Sequence, residues 1–259
     1  MKIRFNIGML LVILLVCGAI SRFFDSEHAV LRTKHNYYKE SHTLEQILER
    51  YVEAIGGKEA VEKLTTRVCK GQFIDDRPYA GPKQVIPFET FSKIPDKSLF
   101  IMKHPDNTER DGFDGKIRWR QDNNGLVRRE NQERSQMDFF LDPQNALRIQ
   151  EYFPGMEVMG KVKLRGHSVY VVENNRKSPH YTLYFDVETG QLIQIGYYEL
   201  HEYQDVDGIK FPFRLELSRK GGSNTYVFED VRHNVTIEDE RFIMPGKGKG
   251  AMDLFGSMR

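Results

Sequence analysis

Cysteine is almost absent: Cys17 and Cys69 are the only two in 259 residues, and the first lies in an apolar leader. That excludes a disulfide framework and the small stapled folds that need one. Neither sign of charge is in excess, since 38 basic and 37 acidic side chains leave a net charge of +1, so no global field marks a nucleic-acid partner. Only one run is apolar enough to enter a membrane, which excludes a multi-span protein, and collagen-like and coiled-coil compositions are absent too. What is present is ample core material: 39% of the residues are hydrophobic, with 17 Phe, 12 Tyr and 9 Met, well above the disordered range.

Lys2 and Arg4 precede an apolar run over residues 7–20, followed by Ser21 and Arg22. This is the pattern of an export signal, and the run is short for a membrane span. Ala19 and Ser21 supply small residues for cleavage before Arg22, whereas Leu14-Leu15-Val16-Cys17 is a poor lipidation box because Val16 replaces a small residue. Cleavage is preferred over lipidation. An uncleaved signal anchor is the alternative, and both place the globular part outside the cytoplasmic membrane. Residues 1–21 are thus expected to be a signal peptide or signal anchor and 22–42 a polar linker. His28, His35 and His42 recur there every seven residues without the further ligand that a tetrahedral metal site requires.

Thr43 reads as a helix N-cap with Gln46 as its capping-box partner. Leu44, Ile47, Leu48, Tyr51, Val52 and Ile55 then keep one face apolar until Gly56-Gly57 ends the helix, and a short second helix is expected over 58–64. Beyond it the texture becomes β-branched and aromatic, punctuated by Asp-Gly, Asn-Gly and Gly-Gly pairs. Twelve strands are expected, over 67–75, 84–93, 98–104, 108–113, 116–121, 126–130, 157–165, 168–175, 179–186, 191–203, 209–219 and 223–233. Residues 135–153 interrupt them with two short helical pieces, the second starting with Asp142 as N-cap and Pro143 at the first helical position. A meander of this size must curve or close to cover its edges. The globular domain is expected over 43–245, with 246–259 as a flexible glycine- and lysine-rich tail.

The search for chemistry excludes more than it finds. There is no GxSxG elbow, no second histidine to complete His201-Glu202 as a zinc-protease motif, and no glutamate to close Asp205-Val206-Asp207-Gly208 as a calcium loop. His104, His167, His180, His201 and His233 fall on or beside strands, where ordinary sheet positions account for them, and Cys69 reads as a small packing residue. No catalytic set, metal or cofactor is indicated. The aromatic and methionine content fits a filled core or an apolar cavity, and composition alone favours the filled core.

Four stretches in this order carry a family resemblance: the helix over 44–57 leading into the strand from Arg67; Gly112-Phe113-Asp114-Gly115-Lys116-Ile117-Arg118-Trp119; Tyr184-Phe185-Asp186-Val187-Glu188-Thr189-Gly190-Gln191-Leu192; and Tyr203-Gln204-Asp205-Val206-Asp207-Gly208-Ile209-Lys210-Phe211-Pro212. The chain resembles the LolA/LolB-like superfamily of outer-membrane lipoprotein-sorting proteins. The resemblance implies a mainly β (α+β) fold, an unclosed antiparallel β-barrel with an N-terminal amphipathic helix and a short helical lid over an apolar cavity. It also implies a periplasmic, non-enzymatic carrier or sensor whose ligand is a lipid, an acyl chain or a lipoprotein, with a membrane-associated donor or acceptor protein as a further partner. The chain is expected to be a monomer that binds no nucleic acid. The lid would be 135–153, and the ligand-binding residues Phe139, Phe140, Leu141, Leu147, Ile149, Tyr152 and Phe153. A protein-interaction or regulatory module, and a small enzyme reusing the cavity, are the alternatives.

Expression with the native leader should yield a protein whose intact mass begins at Arg22. A mass retaining Met1 contradicts cleavage, and a diacylglyceryl adduct on Cys17 contradicts the reading of the lipidation box.

Overall fold

The structure, a computed structural model, describes residues 42–77, 81–122, 124–130, 136–174, 182–219 and 222–246. The segments expected to be the export signal, most of the linker and the C-terminal tail after residue 246 lie outside the described residues.

Helix α1, Leu44–Ala54, starts as the sequence dictates. The Gln46 amide donates to Thr43 Oγ1 at 3.3 Å and the Thr43 amide donates back to Gln46 Oε1 at 2.9 Å, so the capping box is complete. The helix ends where Gly56 and Gly57 take positive φ. Gly56 is required for a second reason: a Cβ there would sit 2.3 Å from the Gly208 carbonyl oxygen, because the helix end is docked on a hairpin through Lys210 N–H to Ile55 O at 2.8 Å. Helix α2, Lys58–Glu62, follows directly.

The strands are β1 Thr66–Asp75, β2 Gln84–Lys93, β3 Lys97–Lys103, β4 Thr108–Asp114, β5 Arg118–Gln121, β6 Val127–Arg129, β7 Met156–Leu164, β8 His167–Asn174, β9 Thr182–Asp186, β10 Leu192–Ile195, β11 Tyr198–Val206, β12 Ile209–Arg219 and β13 Gly222–His233. They form one antiparallel sheet in the order β6-β5-β4-β3-β2-β1-β13-β12-β11-β10-β9-β8-β7. Every step is a chain neighbour except β1–β13, which joins the two ends of the meander at its centre. The free edges are therefore β6 and β7, and the chain between them, residues 130–155, carries helices α3, Gln136–Leu141, and α4, Ile149–Tyr152. This is the unclosed antiparallel barrel with a helical insertion that the sequence predicts.

Two expectations change. The expected strand over 191–203 is two strands, β10 and β11, joined by the two-residue turn Gly196-Tyr197 with Gly196 at φ +56°. Tyr197 lacks turn character and apolar residues flank the pair, so the break is invisible to pattern reading. Asp142 does not cap a helix either. Its Oδ1 accepts the Gln144 amide at 2.8 Å, and 143–147 is a run of tight turns with i→i+3 bonds before α4 begins after Arg148.

The main core lies on the concave face, where Ile47, Tyr51, Val52 and Ile55 of α1 meet Phe185, Leu192, Leu200, Phe211 and Leu215 of the sheet. A second core lies on the convex face, where residues 235–244 cross β1 to β5. Ile237 and Phe242 pack there on Val68, Leu99, Ile101 and Trp119. Trp119 Nε1 donates to Phe242 O at 2.9 Å, and Lys93 and Lys97 hold Asp239 at 2.8 and 2.5 Å. This pair holds the Asp239 carboxyl down at about pKa 2.

Candidate functional site

The site is the concave face beneath the helical segment that links the free edges. Of the residues expected to face a ligand, Phe139, Phe140, Ile149 and Phe153 are buried in the main core, Leu147 and Tyr152 are partly buried against it, and Leu141 is buried apart from that cluster. The rings interlock edge to face: Phe139 lies 5.6 Å from Phe140, 5.5 Å from Tyr152 and 5.3 Å from Phe153 between centroids, and Phe140 reaches Tyr198 of β11 at 5.9 Å. Such pairs contribute about 0.5–1.5 kcal/mol each beyond the area they bury. In this state the aromatic side chains fill the concave face themselves.

Beneath them sits a charge that sequence reading passed over. Arg67 of β1 is only 3% exposed, and its guanidinium is spent on the helical segment. Nη1 donates to Phe140 O at 3.4 Å and Asp142 O at 3.2 Å, Nη2 donates to Pro143 O at 3.2 Å, and Nε donates to His233 Nε2 at 3.2 Å. The plane also lies over the Phe211 ring, 4.8 Å from its centroid. Burial lowers the Arg67 pKa, while Cys69, Asp142 and Tyr51 raise it. An arginine stays protonated in any case, so it must keep acceptors wherever the segment goes. The signal for it was strand parity: Arg67 shares the phase of Cys69 and Phe73, both buried on the concave core.

A second polar group fastens the segment's outer side. Asp142 Oδ2 accepts Arg148 Nη1 at 2.8 Å and the Tyr152 hydroxyl at 2.9 Å, and Arg148 also reaches Asp96 and Glu151, each at 2.8 Å, and the Pro95 carbonyl. Burial raises the Asp142 pKa despite these donors. Gln144 Nε2 donates to Glu62 O and Leu64 O at 3.0 and 2.9 Å, and Arg118 of β5 pairs with Asp138 of α3 at 3.0 Å. The segment is therefore tied to α2, β1, β5 and the β2–β3 turn by hydrogen bonds and ion pairs, which can break and re-form without covalent change.

Cys69 and His167 have ordinary roles, and His180 lies outside the described residues. Cys69 is buried and its thiol is pushed up to about 11, chiefly by desolvation, so it is no nucleophile. His167 Nδ1 lies 2.8 Å from Asp186 Oδ2, but the other oxygen of Asp186 caps the turn at Glu188 and Thr189. Among the described residues there is no group of three His, Cys, Asp or Glu side chains placed to hold a metal ion. No described helix is long and apolar enough to cross a membrane.

No protein-family model and no curated protein matches the sequence. Solved structures do match. A DUF1329 family protein from Desulfovibrio piger superposes with a TM-score of 0.54 at 14% identity, covering 78% of this chain and 98% of the other. A LolA superfamily protein from Nitrosomonas europaea gives 0.52 at 13% identity over 78% of this chain and 98% of that one. A domain described as an outer-membrane lipoprotein-sorting protein, from Vibrio parahaemolyticus, gives 0.51 at 13% identity, with 75% and 95% covered. The likeness is one of fold, and the fold is that of the LolA-like half-barrel.

His233 makes the contact with Arg67 sensitive to acid. Desolvation first, then Arg67, lowers its pKa from 6.5 to about 4, while Asp207 opposes the shift. The unfolded chain therefore takes up a proton over a range where the folded chain does not, and stability is lost as pH falls from 6.5 toward 4. At pH 4.5 the loss should be about 2–3 kcal/mol relative to pH 7. Urea unfolding of His233→Gln, which keeps an acceptor for Arg67 but cannot titrate, should lack that component. Equal pH dependence in the two proteins would contradict it.

Proposed function

We propose that this chain is an exported, non-enzymatic carrier or sensor that holds the acyl chains of a lipid or lipoprotein beneath residues 136–153 in the periplasm. The observation that carries this reading is where the helical segment lies. It joins the two free edges of the half-barrel, places its aromatic side chains in the main core, and is held down by Arg67, Gln144 and Arg148 through contacts that exchange readily. Acyl chain and aromatic ring are interchangeable occupants of such a face, since both contribute in proportion to the apolar area they remove from water.

Loading then means lifting the segment, and the segment is the lid. The Phe139, Phe140 and Phe153 rings leave the sheet, the acyl chain takes their place, and Arg67, parted from the carbonyls of Phe140, Asp142 and Pro143, takes an oxygen acceptor of the ligand in their stead. Burial on each side of the exchange is similar in kind, so the two states differ by a few kcal/mol, about the burial of one or two apolar side chains. No bond is made or broken. The likeness to sorting-type and LolA-superfamily folds supports this reading, as does the export signal. A membrane-associated donor and acceptor would load and unload a carrier of this kind. The other reading, a protein-interaction module, takes its support from how fully the aromatic side chains occupy the concave face.

Phe140→Asp should weaken binding of a fluorescent fatty acid by tenfold or more, because the carboxylate must be desolvated where the acyl chain lies. Leu147→Asp, at a partly buried position, should act in the same direction with a smaller loss of melting temperature. Unchanged affinity in both folded variants would contradict the placement, and no binding by the parent protein would favour the interaction module.

A further inference from the structure

The concave face is apolar over most of its width and changes character at one end. On β3, Phe100 and Met102 pack against the main core; directly opposite them on β4 stand Asp111 and Glu109. Asp111 in turn opposes Arg120 of β5, and Arg120 opposes Arg128 of β6. Arg118 lies two residues from Arg120 on the same face and turns toward the lid, where it pairs with Asp138. Three arginines thus share one face of the last two strands, at the free edge beside the lid.

Their donors are only partly used. Arg118 and Arg128 each give one Nη2 to a carboxylate, Asp138 at 3.0 Å and Asp122 at 2.6 Å, while the Nε of each is buried without a hydrogen-bond partner. Arg120 stands 3.6 Å from Glu109 and 3.8 Å from Asp111, attracted to both and hydrogen-bonded to neither. Like charges directly opposite on a ladder, with Cβ atoms about 5 Å apart, destabilise a hairpin unless something between them supplies negative charge. A buried N–H without a partner is destabilising. Two such donors and an opposed Arg–Arg pair on one short hairpin form an arrangement that an oxyanion completes, since its oxygens accept the Nε–H groups and its charge falls between Arg120 and Arg128.

We propose that Arg118, Arg120 and Arg128 receive an oxyanion, and that it is the phosphate of an acidic lipid whose acyl chains lie under the lid. This rests on the carrier reading and narrows it to an acidic phospholipid. Phe100 and Met102 pack against the main core and stand one strand from the arginine-bearing hairpin, and the Arg118–Asp138 pair ties that hairpin to the lid segment. Glu109, Asp111, Asp122 and Asp138 outnumber the three arginines, so the wall carries no net positive charge and recognition depends on the directed Nε–H donors alone.

The test is lipid extraction from vesicles of dioleoylphosphatidylglycerol or dioleoylphosphatidylcholine, identical in acyl chains, with lipid counted in the protein fraction after the vesicles are sedimented. A parallel calorimetric titration uses inorganic phosphate. The parent protein should prefer phosphatidylglycerol by about tenfold, and the double variant Arg120→Gln/Arg128→Gln should lose that preference while still extracting phosphatidylcholine. Lys70→Gln/Arg232→Gln, which removes the same charge from the other face of β1 and β13, should keep the preference. Melting temperatures establish that the variants fold. Equal extraction of both lipids by the parent protein overturns the head-group site and leaves the carrier standing. Extraction of neither lipid, with phosphate binding that the double variant loses, keeps the oxyanion site, assigns it to a free anion and overturns the carrier. Neither lipid preference nor phosphate binding overturns the site outright.

Discussion

A guanidinium buried beside aromatic rings sets the terms for the rest of this structure. Arg67 cannot shed its proton and is closed off from solvent, so acceptors must be brought to it. The sheet supplies one, His233 of β13, and the helical segment supplies three carbonyls that have no place in a regular helix. Those carbonyls come from residues 140–143, where α3 ends and the chain turns at Asp142. The irregularity of the segment and the burial of the charge thus have one cause. A straight helix across the concave face would keep its carbonyls for itself and leave Arg67 without partners.

The position of β1 gives that contact its reach. Because β1 pairs with β2 on one side and β13 on the other, it stands near the middle of the open sheet, and a group on its concave face lies beneath the middle of whatever spans the free edges. The segment linking β6 to β7 must pass over it. The convex face has a different solution: residues 235–244 cover Val68, Leu99 and Trp119 and are pinned by Lys93 and Lys97 through Asp239. One cover is fastened by ion pairs and an apolar core, the other by a buried cation and interlocked aromatic rings. In the carrier reading it is the concave cover that moves.

Much of this was legible in the residues. Thr43 and Gln46 announced α1, the Asp-Gly and Asn-Gly pairs announced the hairpins, and the aromatic run at 137–141 announced a helical piece with a buried face. Two kinds of feature were hidden. Gly196-Tyr197 turns the chain without an Asn, Asp or Pro to mark it, because one left-handed glycine suffices for a two-residue turn. Arg67 and the strap over 235–244 depend on contacts between residues more than 70 and 100 positions apart, which local periodicity does not register. The phase of Arg67 with Cys69 and Phe73 was readable, but an arginine in a strand is ordinarily taken as the exposed exception. The arginines of β5 and β6 were visible as residues, and only the register shows that Arg120 and Arg128 are opposed.

The central claim is that residues 136–153 move off the sheet when the concave face takes an acyl chain. Pulsed electron–electron spin resonance tests it most directly, with nitroxides at Gln150 on α4 and Glu229 on β13, both exposed, in a chain carrying Cys17→Ser; the buried Cys69 thiol is too protonated and too covered to label. Addition of oleate or lipid vesicles should shift the distance distribution from one narrow population to a longer and broader one, and Phe140→Asp should already populate the longer distance without lipid. A single unchanged distance at saturating ligand would contradict the account and place the ligand elsewhere on the half-barrel.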